Sequence, residues 1–391
     1  MIVETAQILC GRAGGMESVV TIKIVQTLHD KQRFINLPWR LYRGDPNWVP
    51  PLKKDMWSTL NPRKNALLKL GPYQYFLAYR GGKPAGRLGV GIDGHLNEVK
   101  GFKAGYLTLF ESINDYEVAE ALFNAGSEWL TEHGMEFITG PQSPSNGDDY
   151  RGLLLQGFDT PPVLYDSYNP SFYVQFFERY GFTKDFDRNA YFIKLEEVPE
   201  NISRAVEYAK KKYKFHTRRM NLKNIQPELL GINEVLKAGW PEEWPDMVPP
   251  TMGEIQAEYK KLIPFADPDL IWMAETDAGR IIGFFVALPD YNICFKKMNG
   301  RLLPFGVLKF LWLKRKLRSG RSFIMFVHPD YHKKGVSAAI YLSVVQAAKA
   351  KGYTHGEGSS VHEFNTKMNR DALSVGAKLY KIYRIYRKEL A

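Results

Sequence analysis

Apolar positions along this chain recur with two periods. Val118, Leu122, Ala125 and Trp129 follow at helical spacing between the cap residues Asn114 and Asp115 and the stop at Gly134, and Val336, Ile340, Val344 and Ala347 form a second stripe that ends at Gly352. Tyr75–Tyr79 and Ala85–Ile92 about Gly81-Gly82, and Ile271–Glu275 and Ile281–Leu288 about Asp277-Ala278-Gly279, predict two antiparallel hairpins. Val19–Val25 and Phe215–Met220 read as first strands, the former followed by a helix through Arg43 and the latter preceded by a linker helix, Asn201–Tyr213. Phe102–Phe110 and Phe323–Val327 read as strands before each striped helix, with a further strand after it (Phe137–Thr139 in the earlier set). Helices opening at Asn169 and Asn365 and closing strands Asn189–Leu195 and Tyr380–Leu390 complete the two sets.

The same order of elements therefore occurs twice, about 196 residues apart in a chain of 391. A period that long means two copies of one domain and not a solenoid. Phe34-Ile35-Asn36 leads to Trp48-Val49-Pro50-Pro51 as Gly231-Ile232-Asn233 leads to Met247-Val248-Pro249-Pro250, and Asn169, Gly181, Tyr191 and Leu195 match Asn365, Gly376, Tyr386 and Leu390. The expected domains are residues 19–198 and 199–391, each an α+β unit with a mostly antiparallel mixed sheet flanked by helices and one parallel crossover. Residues 1–18 read as a leader.

With 45% hydrophobic and 24% charged residues, each copy can bury a core, which excludes global disorder. Two lone cysteines far apart in the chain, Cys10 and Cys294, point to a reducing compartment. No basic segment leads into a long apolar one at the N-terminus, and the longest apolar run, Leu302 to Leu313, is broken by Lys309. A cytoplasmic location is expected.

Charge is uneven. The net charge is +11, and between Tyr291 and Pro329 no acidic residue occurs, while Lys296, Lys297, Arg301, Lys309, Lys314, Arg315, Lys316, Arg318 and Arg321 are all basic. Gly86 to Phe110 spans 24 residues and the matching Gly283 to Phe326 spans 43, so this stretch occupies an insertion in the second copy. Leu302, Leu303, Phe305, Val307, Leu308, Phe310, Leu311, Trp312 and Leu313 interleave with its cations. Such a segment fits an anionic membrane surface, a long acyl chain, an acidic acyl carrier protein at 296–321, or a flap packed on the sheet. It is too rich in aliphatics for nucleic acid.

The candidate chemistry sits where the second copy's strand runs through a basic loop into its striped helix, Val327-His328-Pro329-Asp330-Tyr331-His332-Lys333-Lys334-Gly335-Val336-Ser337-Ala338. A helix entrance offers unpaired N–H groups and a partial positive charge, to which Lys333 and Lys334 add full charges, and Gly335 admits close approach of an anion. This segment resembles the GNAT superfamily of acyltransferases, whose strand-loop-helix element follows Q/R-x-x-G-x-G/A. Here His332 stands for Gln or Arg and Ser337 for the second small residue. The whole chain beyond the leader is similar to tandem GNAT-like bacterial proteins of largely unassigned substrate, through Leu37-Pro38-Trp39-Arg40-Leu41-Tyr42, Gly152-Leu153-Leu154 with Gly157-Phe158-Asp159, and Tyr380-Lys381-Ile382-Tyr383-Arg384-Ile385-Tyr386.

The resemblance implies an N-acyltransferase that moves an acetyl or longer acyl group from acyl-CoA to an amine in a ternary complex, without a metal. Met325, Val327, His332, Lys333, Lys334, Gly335, Val336, Ser337, Ala338 and Asn365 would hold the cofactor. Glu357, Glu363 and His328 are the candidate bases. The family's tyrosine acid has no counterpart, since Ala372 and Leu373 occupy its place. The first copy's equivalent loop, Phe110-Glu111-Ser112-Ile113-Asn114-Asp115-Tyr116-Glu117, lacks glycine and carries three carboxylates, so coenzyme A is expected on the second copy only. A non-catalytic acyl-CoA or membrane-binding module, and a long-chain transferase fed by acyl carrier protein, remain open at this point.

Overall fold

In a computed structural model the described residues are 19–390, except 146, 197–198 and 302–304. The expected leader, with Cys10, and Leu302 and Leu303 of the insertion lie outside them. In chain order the elements are β1 (Thr21–Ile24), α1 (Leu28–Leu41), α2 (Lys53–Thr59), β2 (Tyr73–Arg80), β3 (Lys83–Ile92), α3 (Gly94–Lys100), β4 (Ala104–Ser112), α4 (Tyr116–Glu132), β5 (Phe137–Gly140), β6 (Leu153–Gln156), α5 (Phe172–Tyr180) and β7 (Thr183–Lys194). They continue with α6 (Glu200–Tyr213), β8 (Phe215–Arg219), α7 (Ile225–Gly239), α8 (Met252–Leu262), β9 (Ile271–Thr276), β10 (Ile281–Pro289), α9 (Asn292–Met298), α10 (Gly306–Leu313), β11 (Ser319–Val327), α11 (Val336–Ala350), β12 (His355–His362), α12 (Thr366–Ser374) and β13 (Lys378–Glu389).

These elements form two compact units that are not contiguous in sequence. Among the described residues, the first holds those up to Arg188 together with those within Phe295–Val307 and from Lys381 onward; the second holds those within Asn189–Cys294 and Leu308–Tyr380. The repeat places a division near 198/199 of the sequence, but packing assigns the last strand to the first unit. There β13 pairs antiparallel with β5, Tyr386 opposite Gly140 and Glu389 opposite Phe137, and with β6 through Tyr383 and Leu154. Its Tyr383, Ile385 and Tyr386 are buried, and Tyr386 joins the core of Phe123, Phe177 and Phe182, with its ring 5.3 Å from Phe177.

Within the first unit β1, β2, β3 and β4 form an antiparallel ladder, and β4 pairs in parallel with β5. The second unit repeats the pattern: β8, β9, β10 and β11 are antiparallel, and β11 with β12 is parallel. Both are α+β units of mixed, mostly antiparallel sheet, as the patterning indicates. The stripe expected on α4 is rotated in the structure. Val118, Ala119, Leu122, Phe123, Gly126 and Leu130 are buried while Ala125 and Trp129 are half-buried, because a glycine at 126 lets Leu88 and Val90 pack directly on the helix.

The start of the insertion has a structural seat. Trp39 Nε1 donates to the side-chain oxygen of Asn299 at 3.1 Å, Lys53 N donates to Gly300 O at 3.1 Å, and Lys296 donates to Pro46 O. A side chain at Gly300 would collide with the Trp39 ring and Pro51 O. The segment from Trp39 to Lys53 is thus a platform for Lys296, Asn299 and Gly300.

Replacing Tyr386 by Ala removes a core ring from the first unit. The expected cost is about 3 kcal/mol, and hydrogen exchange should accelerate in β5 while β9 and β10 keep their protection. Equal loss of protection in β9 and β10 would contradict the assignment of β13.

Candidate active site

In the second unit β11 and β12 begin as parallel neighbours and then separate. Their ladder runs from Ser319 opposite His355 to Ser322 opposite Gly358 and ends there. On the other side of β11 the register with β10 slips at the same point: Ala287 faces Ser322 and Val286 faces Ile324, leaving Phe323 as an extra residue. An extra residue bends and twists its strand, so the bulge at Phe323 turns β11 away from β12. The backbone of Phe323–Val327, including the expected Met325 and Val327, thereby forms one arm of a V beyond the end of the ladder.

The loop after β11 is built by its own side chains. His328 caps the short turn Pro329–Tyr331 by accepting from Asp330 N at its Nδ1, 3.3 Å away, and its Nε2 lies 3.0 Å from the Arg280 guanidinium. His332 Nε2 binds Val327 O at 3.0 Å and closes the loop. Lys333 is exposed and left-handed (φ 61°), whereas the Lys334 ammonium stacks over Tyr331 at 4.9 Å and Tyr213 at 5.7 Å.

Gly335 is the N-cap of α11, with φ 77° and no side-chain cap, so the first-turn amides at Val336, Ser337 and Ala338 have no capping partner from that position. The Val336 side chain itself is core. Glycine is required here for its left-handed backbone and because a Cβ would stand 2.9 Å from Ala209 Cβ on α6. Asn365 is the N-cap of α12 and accepts from Met368 N at 3.0 Å.

The candidate bases fall in different places. Glu357 is buried in the paired part of β12, at the register of the fully buried Arg321, whose guanidinium donates to Ser359 O. Glu363 lies in the half-buried turn after β12. His328 is occupied at the hairpin side by Arg280.

The sequence reading missed His362, the buried last residue of β12. Its Nδ1 accepts from Phe364 N at 3.3 Å, which leaves the ring proton on Nε2. Its ring stacks at 6.1 Å on Trp244, which also meets Phe326 of β11 edge-on at 6.3 Å. Trp240 lies flat over Phe326 at 5.8 Å, and Phe326 over Phe284 at 6.2 Å. The indole N–H groups of Trp240 and Trp244 are shut off from solvent and find no acceptor among the described residues. An aromatic wall thus joins the two arms of the V.

In the first unit the same positions are filled. β4 carries a comparable irregularity, with Leu109 left-handed, and its ladder with β5 ends at Tyr106 opposite Thr139. The chain then folds back: Gln142 N donates to Leu107 O at 2.8 Å and Thr108 Oγ1 donates to Gln142 O at 2.7 Å, covering the free edge. Arg87 and Glu111 hold the registers of Phe284 and Phe326, and the helix-capping Tyr42 holds that of Trp240. Glu111 receives hydroxyls from Tyr42 at 2.7 Å and Tyr173 at 2.9 Å, with Arg87 at 3.5 Å.

Asp115 caps α4 by accepting from Glu117 N, and Arg80 pairs with both Asp115 and Glu117. The three carboxylates of this loop are therefore engaged in structure, one of them inside the core, and do not form a bare acidic surface.

A mixed sheet with a bulged strand, a V between parallel neighbours and a glycine-capped helix entrance defines a GNAT-type acyltransferase fold, here present twice. The sequence profile of the Acetyltransferase (GNAT) family matches residues 230–370, and the chain belongs to that family of N-acyltransferases. It is 32% identical over 376 residues to the bacterial ceramide synthase of Caulobacter vibrioides, covering 94% of this chain and 96% of that one, and 30% identical over 373 residues to protein YghO of Escherichia coli, covering 93% of each. The fold is also that of the tandem GNAT protein from the clavulanic acid biosynthesis pathway, with a TM-score of 0.57 at 12% identity over 95% of this chain and 99% of that one. Among the described residues no group of His, Cys, Asp and Glu is placed to hold a metal ion, and no helix is long and apolar enough to cross a membrane.

Gly335→Ala should cost about 1–2 kcal/mol from backbone strain alone, plus the contact with Ala209. Introducing Ala209→Gly as well should relieve only the second part, so a double-mutant cycle by denaturant unfolding should show favourable coupling. Zero coupling would mean that α6 does not constrain the loop.

Burial raises the Glu111 carboxyl above the ordinary carboxylate range, against the opposing pull of Arg87 and the two tyrosine hydroxyls. The folded unit holds this proton to higher pH than the unfolded chain. Its contribution to stability is therefore full below the unfolded value, about 4.3, and declines as pH rises through the folded one. Glu111→Gln should flatten that decline in unfolding measured across pH; an unchanged slope would contradict it.

Proposed function

We propose that the second copy takes acyl-CoA and transfers its acyl group to the amine of a long-chain amino alcohol, while the first copy serves as a structural partner. The observation that carries this reading is the contrast between equivalent sites: an open strand edge and uncapped helix entrance in one, a covered edge and carboxylate-capped entrance in the other. Lys333, the first-turn amides of α11 and the β11 edge suit a pyrophosphate followed by an extended pantetheine arm. Acetyl and longer acyl groups share these contacts. The acceptor class follows from the relative named ceramide synthase, since a ceramide is the amide of a long-chain amino alcohol, and the Trp240, Trp244 and Phe326 wall suits an apolar acceptor.

In the reaction the amine nitrogen, once deprotonated, attacks the thioester carbonyl. A C–N bond forms, the C–S bond breaks and the thiolate takes up a proton. This reading assigns the base to Glu363, in the turn after β12, in preference to Glu357, in the paired part of the ladder, and His328, held by Arg280. The attacking nitrogen gives up its remaining extra proton, which the departing thiolate takes up, and His362, with its ring proton on Nε2, donates a hydrogen bond to that sulfur in place of the missing tyrosine.

The test combines calorimetry with thiol release. Wild-type protein should bind coenzyme A and release thiol from acyl-CoA when supplied with long-chain amino alcohols. Reversal of Lys333 and Lys334 to Glu should weaken coenzyme A binding by at least about tenfold, a loss near 1.4 kcal/mol. His362→Gln should lower kcat and leave that affinity unchanged. Binding without transfer would favour a sensor module, transfer only from acyl carrier protein would move the donor, and unchanged affinity in the reversal variant would reject the site.

A further inference from the structure

Helix α10 turns an apolar face outward. Leu308, Leu311 and Trp312 are 66%, 44% and 56% exposed, while Leu313 is buried and Phe310 stacks on Tyr291 at 5.2 Å. Positions 308, 311 and 312 share one helical face, and Phe305, just before the helix, is 75% exposed. Core formation explains Phe310 and Leu313 but leaves the outer residues in water. Cations surround them: Lys309 on the helix and Lys314, Arg315 and Lys316 directly after it, with the Lys316 ammonium 3.7 Å from the centre of the Trp312 ring. No carboxylate occurs anywhere from Tyr291 to Pro329.

We propose that α10 docks this protein on the surface of an anionic lipid bilayer. The eight-residue helix would lie in the headgroup layer with Leu308, Leu311 and Trp312 inserted and Lys314, Arg315 and Lys316 against lipid phosphates. An acidic protein partner suits the arrangement less well, because the centre of the exposed face is aliphatic and aromatic and most of the cations follow its end. Docking gives the acyl transfer proposed above access to a long-chain acceptor that resides in lipid. It rests on that reading only for the identity of the cargo, and vesicle binding is measured without any acyl donor.

The experiment is sedimentation of the full chain with vesicles of phosphatidylcholine, with and without phosphatidylglycerol. Binding should require the anionic lipid and fall at high salt. Leu308→Asp/Leu311→Asp/Trp312→Asp should reduce it by at least about tenfold, and Lys314→Glu/Arg315→Glu/Lys316→Glu should abolish the preference for phosphatidylglycerol. All six side chains are exposed, and an unchanged far-UV circular dichroism spectrum and thermal unfolding transition report that the variants are folded.

Absence of vesicle binding in the wild type, equal binding by the triple Asp variant, or binding to purified acyl carrier protein but not to vesicles would each overturn the proposal. Vesicle docking without acyl transfer would instead sustain docking and reject the functional reading.

Discussion

The open geometry of the second unit depends on the point where β11 stops pairing with β12. A continuous parallel ladder would satisfy every backbone group along Phe323–Val327 and leave nothing for a ligand. The extra residue at Phe323 keeps the antiparallel bond to β10 while bending the strand out of register with β12. The same bend brings the end of β11 into the loop closed by His332 on Val327 O, from which α11 starts with its first amides uncapped. An edge for an extended chain and an entrance for an anion thus arise from one irregularity, and the aromatic bridge through Trp244 can span the arms only because they separate.

Duplication makes the first unit an internal control for that argument. It keeps the end of pairing between β4 and β5 and the strand-loop-helix order, yet each feature is consumed internally. Gln142 takes the strand edge, Asp115 takes the helix entrance, and Arg87 with Glu111 replaces the ring stack of Phe284 with Phe326. A buried ion pair is a weak source of stability compared with packed rings. Here it is supported by hydroxyls from Tyr42 and Tyr173, which satisfy the carboxylate, and by Phe34 O, which accepts from Arg87. The site has been converted into core, so its carboxylates act through burial and capping and only secondarily through charge at a surface.

Local order was largely legible in the sequence. Hairpins, the striped helices and the glycine-marked helix entrance reveal themselves over short windows, because period and turn chemistry are local. Long-range pairing was not. Nothing in Tyr380–Leu390 distinguishes pairing within its own copy from pairing with β5 and β6, since both offer a strand edge and an apolar core. The chain from Ser319 to Ser322 was missed as strand because Gly320, Arg321 and two serines carry no β signal, although these residues make the parallel ladder. His362 escaped notice beside the more conspicuous Glu363 and Asn365. Its ring partner Trp244 lies more than a hundred residues away, and no spacing within one copy reveals that neighbour. Asn169 looked like a helix cap, but its amide instead clamps Leu154 of β6.

The exchanged strand bears on why the filled copy persists. Tyr383, Ile385 and Tyr386 are buried in the first unit although the sequence repeat assigns them to the second. Division of the chain at the repeat boundary would therefore strip β5 of its antiparallel partner and open the aromatic core around Phe177. A gene cut at that point would yield a first copy with an unpaired strand edge, a state prone to association with other edges. Selection for a folded first unit thus preserves the end of the second, independently of any catalytic contribution from the first. The filled strand edge and capped helix entrance of the first copy are compatible with this task, because completing a sheet with the last strand of the chain makes no demand on an open V.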